Sequence, residues 1–405
     1  MRISTNTIFD TGAASIGRQQ ADLLKLQQQI SAGRRMLVPS DDPIGAVRSL
    51  EFAQADSINA QYGTNAQAAA GKLAVTEGAL ARAVSLLQSV RETAVAAGNA
   101  AFTTADRVTL ARDLRAMHDE LLGLANSTDG EGNFLFSGFQ TDVQPFAAAT
   151  TGVQYSGDDG ERLVQIAPTR FIPVSESGAD VFLRMRRGNG EFVVSAPAAN
   201  AGNATYGPGT VANPLAATGN QYQIVFAVSA TVPPVTTYDV LDITAGTTVL
   251  SAQPYVSGGK IAFDGIQLEV AGAPAGGDRI DIAPSTEQDV FRTITNLATA
   301  LESFTGDDPG RARFANAVTD SLANLDLALD QVSSRRSLVG TRMREVETTQ
   351  AITDDLSTQY KQLISQLQDL DYAKAISDLM RQKTNLEAAQ QTFVQTANLS
   401  IFNYL

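Results

Sequence analysis

The chain has 405 residues, of which 43% are hydrophobic and 6% aromatic, with no tryptophan and no cysteine. Its net charge of −13 disfavours nucleic acid or an anionic membrane as a partner, because both attract a basic surface. The lack of cysteine excludes disulfides, thiolate catalysis and cysteine-bound metals. One histidine, His118, leaves little material for histidine-centred chemistry. We therefore predict that the chain is not an enzyme, and we expect no cofactor and no metal.

Two further classes of segment are missing from the sequence. No window approaches the roughly 20 apolar residues that span a membrane. The N-terminus has no apolar run long enough for a signal peptide. We therefore expect a protein that stays in the cytoplasm or leaves it without a cleaved signal.

The first segment with a helical pattern runs from about Asn6 to Met36. Ile16, Leu23 and Ile30 recur every seven residues, which is the spacing of one seam of a coiled coil. The sequence therefore predicts an arm that pairs with another helix.

The VPSDDP stretch predicts a corner and then a second helix. Asp42 is a suitable N-cap because its carboxylate accepts from free amide donors, and Pro43 suits the first helical position because it has no donor. We expect this helix to continue to about Ala97 in spite of three glycines. Thr103 with Asp106 predicts the capping box of a third helix.

The periodicity then changes to that of strands. Phe134, Leu135 and Phe136 stand between turn residues and predict a β-hairpin that these three side chains anchor to the helices. Strand and turn patterns follow from about Gly152 to Ile282, and residues 188–190 (Gly-Asn-Gly) predict a tight hairpin between two of the strands.

Helical patterns return in the last third of the chain. Ser285 with Gln288 predicts a capping box, and after a break near Gly306 a second helix begins at about Arg311. The apolar positions with coiled-coil spacing beyond it are Leu356, Leu363, Leu367, Leu370, Leu379, Leu386 and Phe393. We expect one continuous helix from Ile352 to Phe402, with a phase slip near residue 371.

The two ends of the chain are complementary in charge. Residues 1–38 hold five basic and two acidic residues, a net charge of +3. Residues 346–405 hold four basic and seven acidic residues, a net charge of −3. Opposite charge and matching heptads both favour pairing of the two ends.

These patterns predict an elongated α+β protein with three parts. We assign terminal coiled-coil arms to 1–38 and 346–405, a helical rod to 39–150 and 285–345 with a β-hairpin near 133–146, and a β-rich outer insertion of one or two lobes to 151–284. The seam residues Ile16, Leu23 and Ile30, with the seven apolar positions given above for the C-terminal arm, form the expected assembly interface. Asp42 and Pro43 form the expected corner.

Several segments resemble the bacterial flagellin family. ISAGRRMLVPSDDPIGAVR and GNFLFSGFQTDVQPF resemble parts of its N-terminal helical half, and LEAAQQTFVQTANLSIFNYL resembles the end of a C-terminal half. The MRIST start with the LSIFNYL finish is more similar to hook-associated members of this family than to filament subunits. About 145 residues at the front and 120 at the back carry the resemblance.

The resemblance implies a structural subunit of the bacterial flagellum, an adaptor ring that joins hook to filament. Its implied partners are copies of itself, the first hook-associated protein on the hook side, flagellin on the filament side and an export chaperone. It further implies an extracellular location, reached through the flagellar export channel. We expect the arms to be disordered before assembly, since each alone buries too little apolar surface to offset its ordering entropy.

Two alternative functions stay open at this stage. The first is the flagellin filament subunit itself. The second is a surface binding module with a ligand site on the β insertion, which exposed aromatic side chains on one β face would favour. Phe182, Phe192, Tyr222 and Phe226 are instead spaced like residues of a core.

Overall fold

The computed structural model describes residues 5–149 and 152–398. The sequence motifs at the two ends therefore lie partly outside the described residues: residues 1–4 of the MRIST start and the whole LSIFNYL finish, including Phe402. Within the described residues the fold is α+β, as predicted, and belongs to two compact units. We call them unit 1 (Met1–Asn65 with Thr348–Leu405) and unit 2 (Ala66–Glu347).

The described α-helices are α1 (Thr5–Ala32), α2 (Pro43–Ala97), α3 (Thr104–Ala125), α4 (Val290–Glu302), α5 (Asp308–Gln368) and α6 (Tyr372–Asn398), and a π-helical turn covers Ala179–Leu183. The described strands are β1 (Phe146–Ala149), β2 (Gly152–Tyr155), β3 (Leu163–Ala167), β4 (Arg170–Pro173), β5 (Met185–Arg186), β6 (Phe192–Ser195), β7 (Thr205–Tyr206), β8 (Thr210–Val211), β9 (Tyr222–Val228), β10 (Thr236–Asp242), β11 (Thr247–Pro254), β12 (Gly259–Phe263), β13 (Ile266–Ala271), β14 (Arg279–Pro284) and β15 (Glu287–Gln288).

Helix α2 is continuous through Gly63, Gly71 and Gly78, as predicted. Interior glycines each cost roughly 1 kcal/mol relative to alanine. Burial of one face offsets this cost in unit 2, where ten of the twelve buried positions of α2 alternate at spacings of three and four. They are Ala66, Ala69, Leu73, Thr76, Leu80, Ala83, Leu87, Val90, Ala94 and Ala97. This strict alternation is the pattern of a coiled-coil seam.

The capping box of α3 is confirmed. The Thr103 hydroxyl accepts from the Asp106 amide at 3.3 Å, and the Asp106 carboxylate accepts from the Thr103 amide at 2.9 Å. These hydrogen bonds to Thr103 lower the pKa of Asp106, since they favour the charged carboxylate.

The predicted start of α4 is wrong by several residues. Asp289 caps this helix by accepting from the Arg292 amide at 2.5 Å. Ser285 instead donates its hydroxyl to the Arg187 carbonyl at 2.9 Å. Glu287 and Gln288 are held in the backbone pairing of β15 with β5, so the helix begins only after them.

The predicted hairpin near 133–146 is also not formed as such. Residues 127–142 form successive turns joined by a single bridge between Thr128 and Phe134. The Asp129 carboxylate accepts from the amides of residues 131 and 133, which closes the chain into turns before a ladder can form. Two β-hairpins form after this segment of turns, one by pairing of β1 with β2 and the other by pairing of β3 with β4.

The helical core of unit 2 lies between α2, α3, α4, α5 and these hairpins. Three buried phenylalanines from separate segments meet in it. The ring of Phe182 lies 5.3 Å from that of Phe136 and 5.7 Å from that of Phe146. Leu135 is buried in the same core, whereas Phe134 is half-buried. The hairpins of residues 146–173 thus belong to the helical core.

A second core lies between two antiparallel sheets. One sheet has the order β11-β10-β9-β14-β6, and the other joins β12 to β13, whose far edge pairs with β7 and β8. Phe192, Tyr222 and Phe226 are buried in this core, which confirms the expectation that they are core residues.

The predicted tight hairpin at 188–190 is a turn, but its two flanking strands do not pair. Gly188 and Gly190 have positive φ of 66° and 89°. Strand β5 pairs with β15, and β6 pairs with β14. The turn therefore marks the point where the chain leaves the helical core for the second core.

A polar stripe on one face of α5 attaches the second core to the helices. Its members are Arg313, Asn316, Asp320 and Asn324. The Asn316 carboxamide accepts from the Tyr206 amide at 3.0 Å, and the Tyr206 hydroxyl donates to Asp320 at 3.0 Å. The attachment thus includes an ionisable carboxyl among its hydrogen bonds.

This stripe predicts a pH-dependent attachment. Burial raises the pKa of Asp320 from 3.8 to about 6, although Tyr206 and Arg187 oppose the shift. The folded state therefore holds this proton more tightly than the unfolded state. Stability present below about pH 4 is lost as the pH rises through about 6, by about 3 kcal/mol.

Replacing the carboxyl tests this directly. We expect Asp320→Asn to unfold at higher urea concentration than the wild type at pH 7.5, and at a similar concentration at pH 4.5. Asp281→Asn, in β14 of the second core, serves as a control. An equal effect of Asp320→Asn at both pH values would contradict the assignment.

Candidate assembly surface

Unit 1 has almost no core of its own. Among its described residues, Ala375 is the one fully buried hydrophobic side chain. About half of the large hydrophobic side chains that are exposed in the described chain belong to unit 1, although it holds under a third of the residues. Such a high share of exposed hydrophobic side chains is typical of surfaces that bind another protein.

In unit 1, α1 and α6 run antiparallel along their length. The ring of Phe9 lies edge-on to that of Phe393, with centroids 5.9 Å apart. Near the opposite end of the pair, the backbones of Arg34 and Asp369 form an isolated antiparallel β-bridge. The predicted seam residues of both helices lie on the facing sides and are half-buried. They are Ile16, Leu23 and Ile30 of α1, with Leu379, Leu386 and Phe393 of α6.

Half-burial has an energetic consequence for this seam. A fully buried leucine contributes roughly 2 kcal/mol, and the contribution scales with the area removed from water. The α1–α6 seam therefore obtains only part of the stabilisation that its side chains can supply. Covering its open side would add the remainder.

The predicted seam residues at the end of α5 differ from one another in burial. Leu356 and Leu367 are half-buried, whereas Leu363 is 37% exposed and Leu370 lies between helices. Ile364, which the heptad prediction did not include, is half-buried in place of its neighbour.

The continuous helix predicted from Ile352 onward is wrong, because α5 ends at Gln368 and α6 begins at Tyr372. The segment between α5 and α6 is hydrogen-bonded to the residues that follow α1, where the Leu370 amide donates to the Gly33 carbonyl at 3.1 Å. Gly33 ends α1 with a φ of +66°, which an L side chain rarely adopts. At the position of the expected phase slip the C-terminal helix is interrupted, and the N-terminal helix α1 ends beside this interruption.

Charge does not join the two arms directly. Between described residues, the ion pairs of the N-terminal arm are Lys25 with Asp41 at 2.7 Å and Arg35 with Asp42 at 3.3 Å. Both lie within the N-terminal part of the chain. The close contacts between the arms are apolar or backbone contacts, together with the hydrogen bond that the Arg35 guanidinium donates to the Leu367 carbonyl at 3.0 Å.

The predicted corner at the start of α2 is confirmed as a cap. The Asp42 carboxylate accepts from the Gly45 amide at 2.9 Å, and α2 begins at Pro43. The neighbouring Asp41 accepts from the amides of residues 37 and 38. Its hydrogen bond with Lys25 and those with these amides lower the pKa of Asp41 to about 2, so Asp41 stays charged at neutral and mildly acidic pH.

The first half of α2 contacts the rest of unit 1 through small or polar side chains. Buried Asn59 donates to the Thr353 carbonyl at 2.7 Å, and buried Ser49 accepts from Gln368. A larger contact is the ring of Phe52, which stacks on that of Tyr360 with centroids 6.4 Å apart.

The opposite face of this half-helix is apolar and exposed. Ile44, Val47, Leu50 and Ile58 are 69%, 58%, 70% and 48% exposed, and their spacing places them within about one third of the helix circumference. We call these four residues the α2 row. An amphipathic helix normally turns its apolar face to its own core. The α2 row does the reverse.

The helical spacing of Ile44, Val47, Ile58 and Tyr62 already places them on one face, but the predicted assembly interface did not include them. Tyr62 is half-buried in the structure. The signal that identifies the row is on the opposite face, where Gly45, Ser49 and Asn59 offer a partner little apolar surface.

Within residues 5–149 and 152–398, no three histidine, aspartate or glutamate side chains come together as metal ligands do. Asp158 accepts from the amides of residues 139 and 160, and Asp159 pairs with Arg184 at 2.6 Å, so both acidic side chains serve the local turns. Among the described helices, none has the length and apolar content needed to cross a membrane.

Comparison with known proteins identifies the class to which this fold and surface belong. The bacterial flagellin N-terminal helical region matches residues 3–141, and the bacterial flagellin C-terminal helical region matches residues 322–405. Together the matches cover more than half of the chain. The chain belongs to the bacterial flagellin family.

Three relatives resemble the chain over most of its length. Flagellar hook-associated protein 3 of Salmonella typhimurium is 25% identical over 403 residues, which cover 99% of each chain. A crystal structure of flagellar hook-associated protein 3 from Legionella pneumophila has a TM-score of 0.75 and 28% identity, covering 78% of this chain and 98% of that one. A crystal structure of the flagellar junction protein FlgL from the same organism has a TM-score of 0.73 and 27% identity, covering 80% and 100%.

Proposed function

We propose that this chain is a non-enzymatic structural subunit of the flagellum, which forms an adaptor ring between the hook and the flagellin filament. The observation that carries the proposal is that unit 1 holds one fully buried hydrophobic side chain among its described residues, beside the exposed α2 row. Neighbouring subunits that cover these side chains would supply the missing core.

The similarity to hook-associated protein 3 favours the junction over the filament itself. That similarity extends over 99% of both chains and so includes the β-rich middle as well as the two helical ends. The partners of this role are copies of the same chain in a ring, the first hook-associated protein on the hook side and flagellin on the filament side. An export chaperone would hold the apolar arms before assembly.

The proposed location is extracellular, at the hook–filament junction, after export without a cleaved signal. We retain the three-part division for this role: arms at 1–38 and 346–405, a rod at 39–150 and 285–345, and an outer insertion at 151–284. The arms' seam residues, from Ile16 to Phe393, are the proposed contacts between subunits, together with the α2 row.

The structure offers little support for a binding module on the β insertion. Such a module needs aromatic side chains exposed on one β face. Phe192, Tyr222 and Phe226 are buried between the two sheets, and Phe182 is buried in the helical core. Their burial leaves these four side chains unable to contact a ligand at the surface.

Removal of the end of α6 tests the proposed function. Truncation after Ala388 deletes Phe393, which packs on Phe9 at the far end of the α1–α6 seam. In cells that produce only this truncated chain, we expect hooks without filaments and flagellin monomers in the medium. Electron microscopy of the cells and immunoblots of the medium measure both outcomes.

A full-length chain expressed in the same way is the matched control, and it should restore filaments. Immunoblots for the truncated chain outside the cells show whether export has occurred. Normal filaments built with an exported, truncated chain would overturn the proposal.

A further inference from the structure

A cavity of about 570 Å³ lies in unit 2, where α2 ends and α5 begins. Three aromatic rings line it, those of Phe102, Phe304 and Phe314, together with two cationic side chains, Arg107 and Arg311. Its volume is within the range of pockets that hold small ligands. The proposed function makes no use of it.

The guanidinium of Arg107 is the unusual group in this cavity. Arg107 is 3% exposed, and its Nη atoms donate to the carbonyls of Ala97 at 2.7 Å and Asn99 at 3.1 Å. Its carbon Cζ lies 4.3 Å from the ring centre of Phe304 and 4.4 Å from that of Phe314. Its buried Nε has no hydrogen-bond partner in the described chain.

No carboxylate among the described residues lies within 4 Å of this guanidinium. Burial lowers the pKa of Arg107, but an arginine stays charged at neutral pH. Buried charges in proteins are normally paired with opposite charge. Here two neutral carbonyls and two aromatic faces are what the described residues provide, and none of them supplies a counter-charge.

The rest of the lining adds to the same chemistry. Arg311 pairs only loosely with Asp308, at 3.8 Å, and its side chain is largely exposed at the cavity. Ala100, Ala315 and Val318 supply further apolar lining. A group that satisfies the whole site carries one negative charge on an apolar body.

We propose that this cavity binds a carboxylate carried on an apolar group of about the size of an aromatic side chain. The carboxylate accepts from Arg107, and the apolar body packs among the phenylalanine rings. Either a free small acid or an acidic side chain next to an apolar one on an abutting subunit presents this chemistry. The inference goes beyond the proposed function, and the binding test below does not depend on that function.

The test compares two probes that differ in charge and share an aromatic ring. We expect 3-phenylpropionate to bind the full-length protein in the millimolar range, as expected of a ligand of about eleven non-hydrogen atoms. The neutral 3-phenylpropan-1-ol should bind at least about tenfold more weakly, since it lacks the charge-assisted hydrogen bond. Saturation-transfer NMR measures both. Equal binding of the two probes, or no binding of either, overturns the proposal.

Two variants assign the binding to this cavity. Arg107→Gln should weaken 3-phenylpropionate binding about tenfold or more. Because Arg107 also holds the end of α2, a second variant leaves it in place: Ala315 is exposed, and Ala315→Trp should fill the cavity and block the probe. Arg115→Gln, which lies outside the cavity, is the matched control. Unchanged binding in Ala315→Trp overturns the proposal.

Assembly in cells distinguishes the two sources of the carboxylate. If an abutting subunit supplies it, Ala315→Trp stops filament growth although the exported chain is folded. If a free acid supplies it, filaments with this variant are normal while the purified protein has lost probe binding.

Discussion

Val47→Asp combined with Leu50→Asp should abolish filament growth and leave the stability of the isolated subunit unchanged. Both side chains belong to the α2 row and are 58% and 70% exposed, so aspartate there meets water in the monomer. In an assembled ring the same carboxylates would be buried without a partner, at a cost of several kcal/mol at each subunit contact. Because the contact repeats around the ring, the cost repeats with it.

Two measurements separate assembly from folding in this variant. Circular dichroism melts of the purified subunit should match the wild type, and complemented deletion cells should carry hooks without filaments. The matched control is Leu215→Asp with Val232→Asp, where the side chains are 99% and 98% exposed on loops of the β insertion. That control should support normal filaments. Normal filaments with the α2-row variant would show that this face stays in water.

The second large effect concerns stability inside unit 2. Glu176→Ala should destabilise the protein by about 3–5 kcal/mol, because it removes the buried counter-charge of Arg342 and leaves that arginine only the partly exposed Glu161, at 3.3 Å. Glu176 is 1% exposed, and its carboxylate accepts from Arg342, which is 8% exposed. Arg335 lies 3.7 Å from the same carboxylate. These charges join the segment after β4 to α5.

A double variant separates two causes of the lost stability: the loss of the ion pair itself and the burial of an arginine that lacks its partner. Glu176→Ala with Arg342→Met should be less destabilised than Glu176→Ala alone, since the buried guanidinium is removed together with its buried counter-charge. The control Arg115→Ala breaks a pair with Glu302 at 2.7 Å whose side chains are 48% and 38% exposed, and should cost less than about 1 kcal/mol. Urea denaturation measures all three. Equal losses for Glu176→Ala and Arg115→Ala would contradict this account.

Local signals predicted much of the helical part of the fold. The caps at Asp42 and Thr103 depend on residues within three positions of each other, so the sequence contains all the information that they need. The continuity of α2 follows from the strict spacing of its apolar positions. The cap at Ser285 failed for the opposite reason, since its hydroxyl is engaged by Arg187, about a hundred residues earlier in the chain.

The strand pairings show the same limit. The turn at 188–190 was correctly placed, yet the strands beside it pair with partners far along the chain. Local composition predicts that a chain turns, but it does not say which distant edge each strand meets. The break between α5 and α6 was likewise visible as a phase slip. Its form depends on Gly33 and Arg34, more than 330 residues away.

The sequence by itself determined the class of the molecule: heptads at both ends, a β-rich middle, no cysteine, and end motifs similar to those of one family. Heptads and caps are short-range patterns, so they can be recognised from the sequence without knowledge of the fold. Only the tertiary structure decided which face of α2 is left uncovered. Hydrophobicity alone would assign Ile44, Val47 and Leu50 to a core, whereas the polar contacts of Ser49 and Asn59 turn them outward. A helix buries whichever face its neighbours can contact, and those neighbours are set by the fold as a whole.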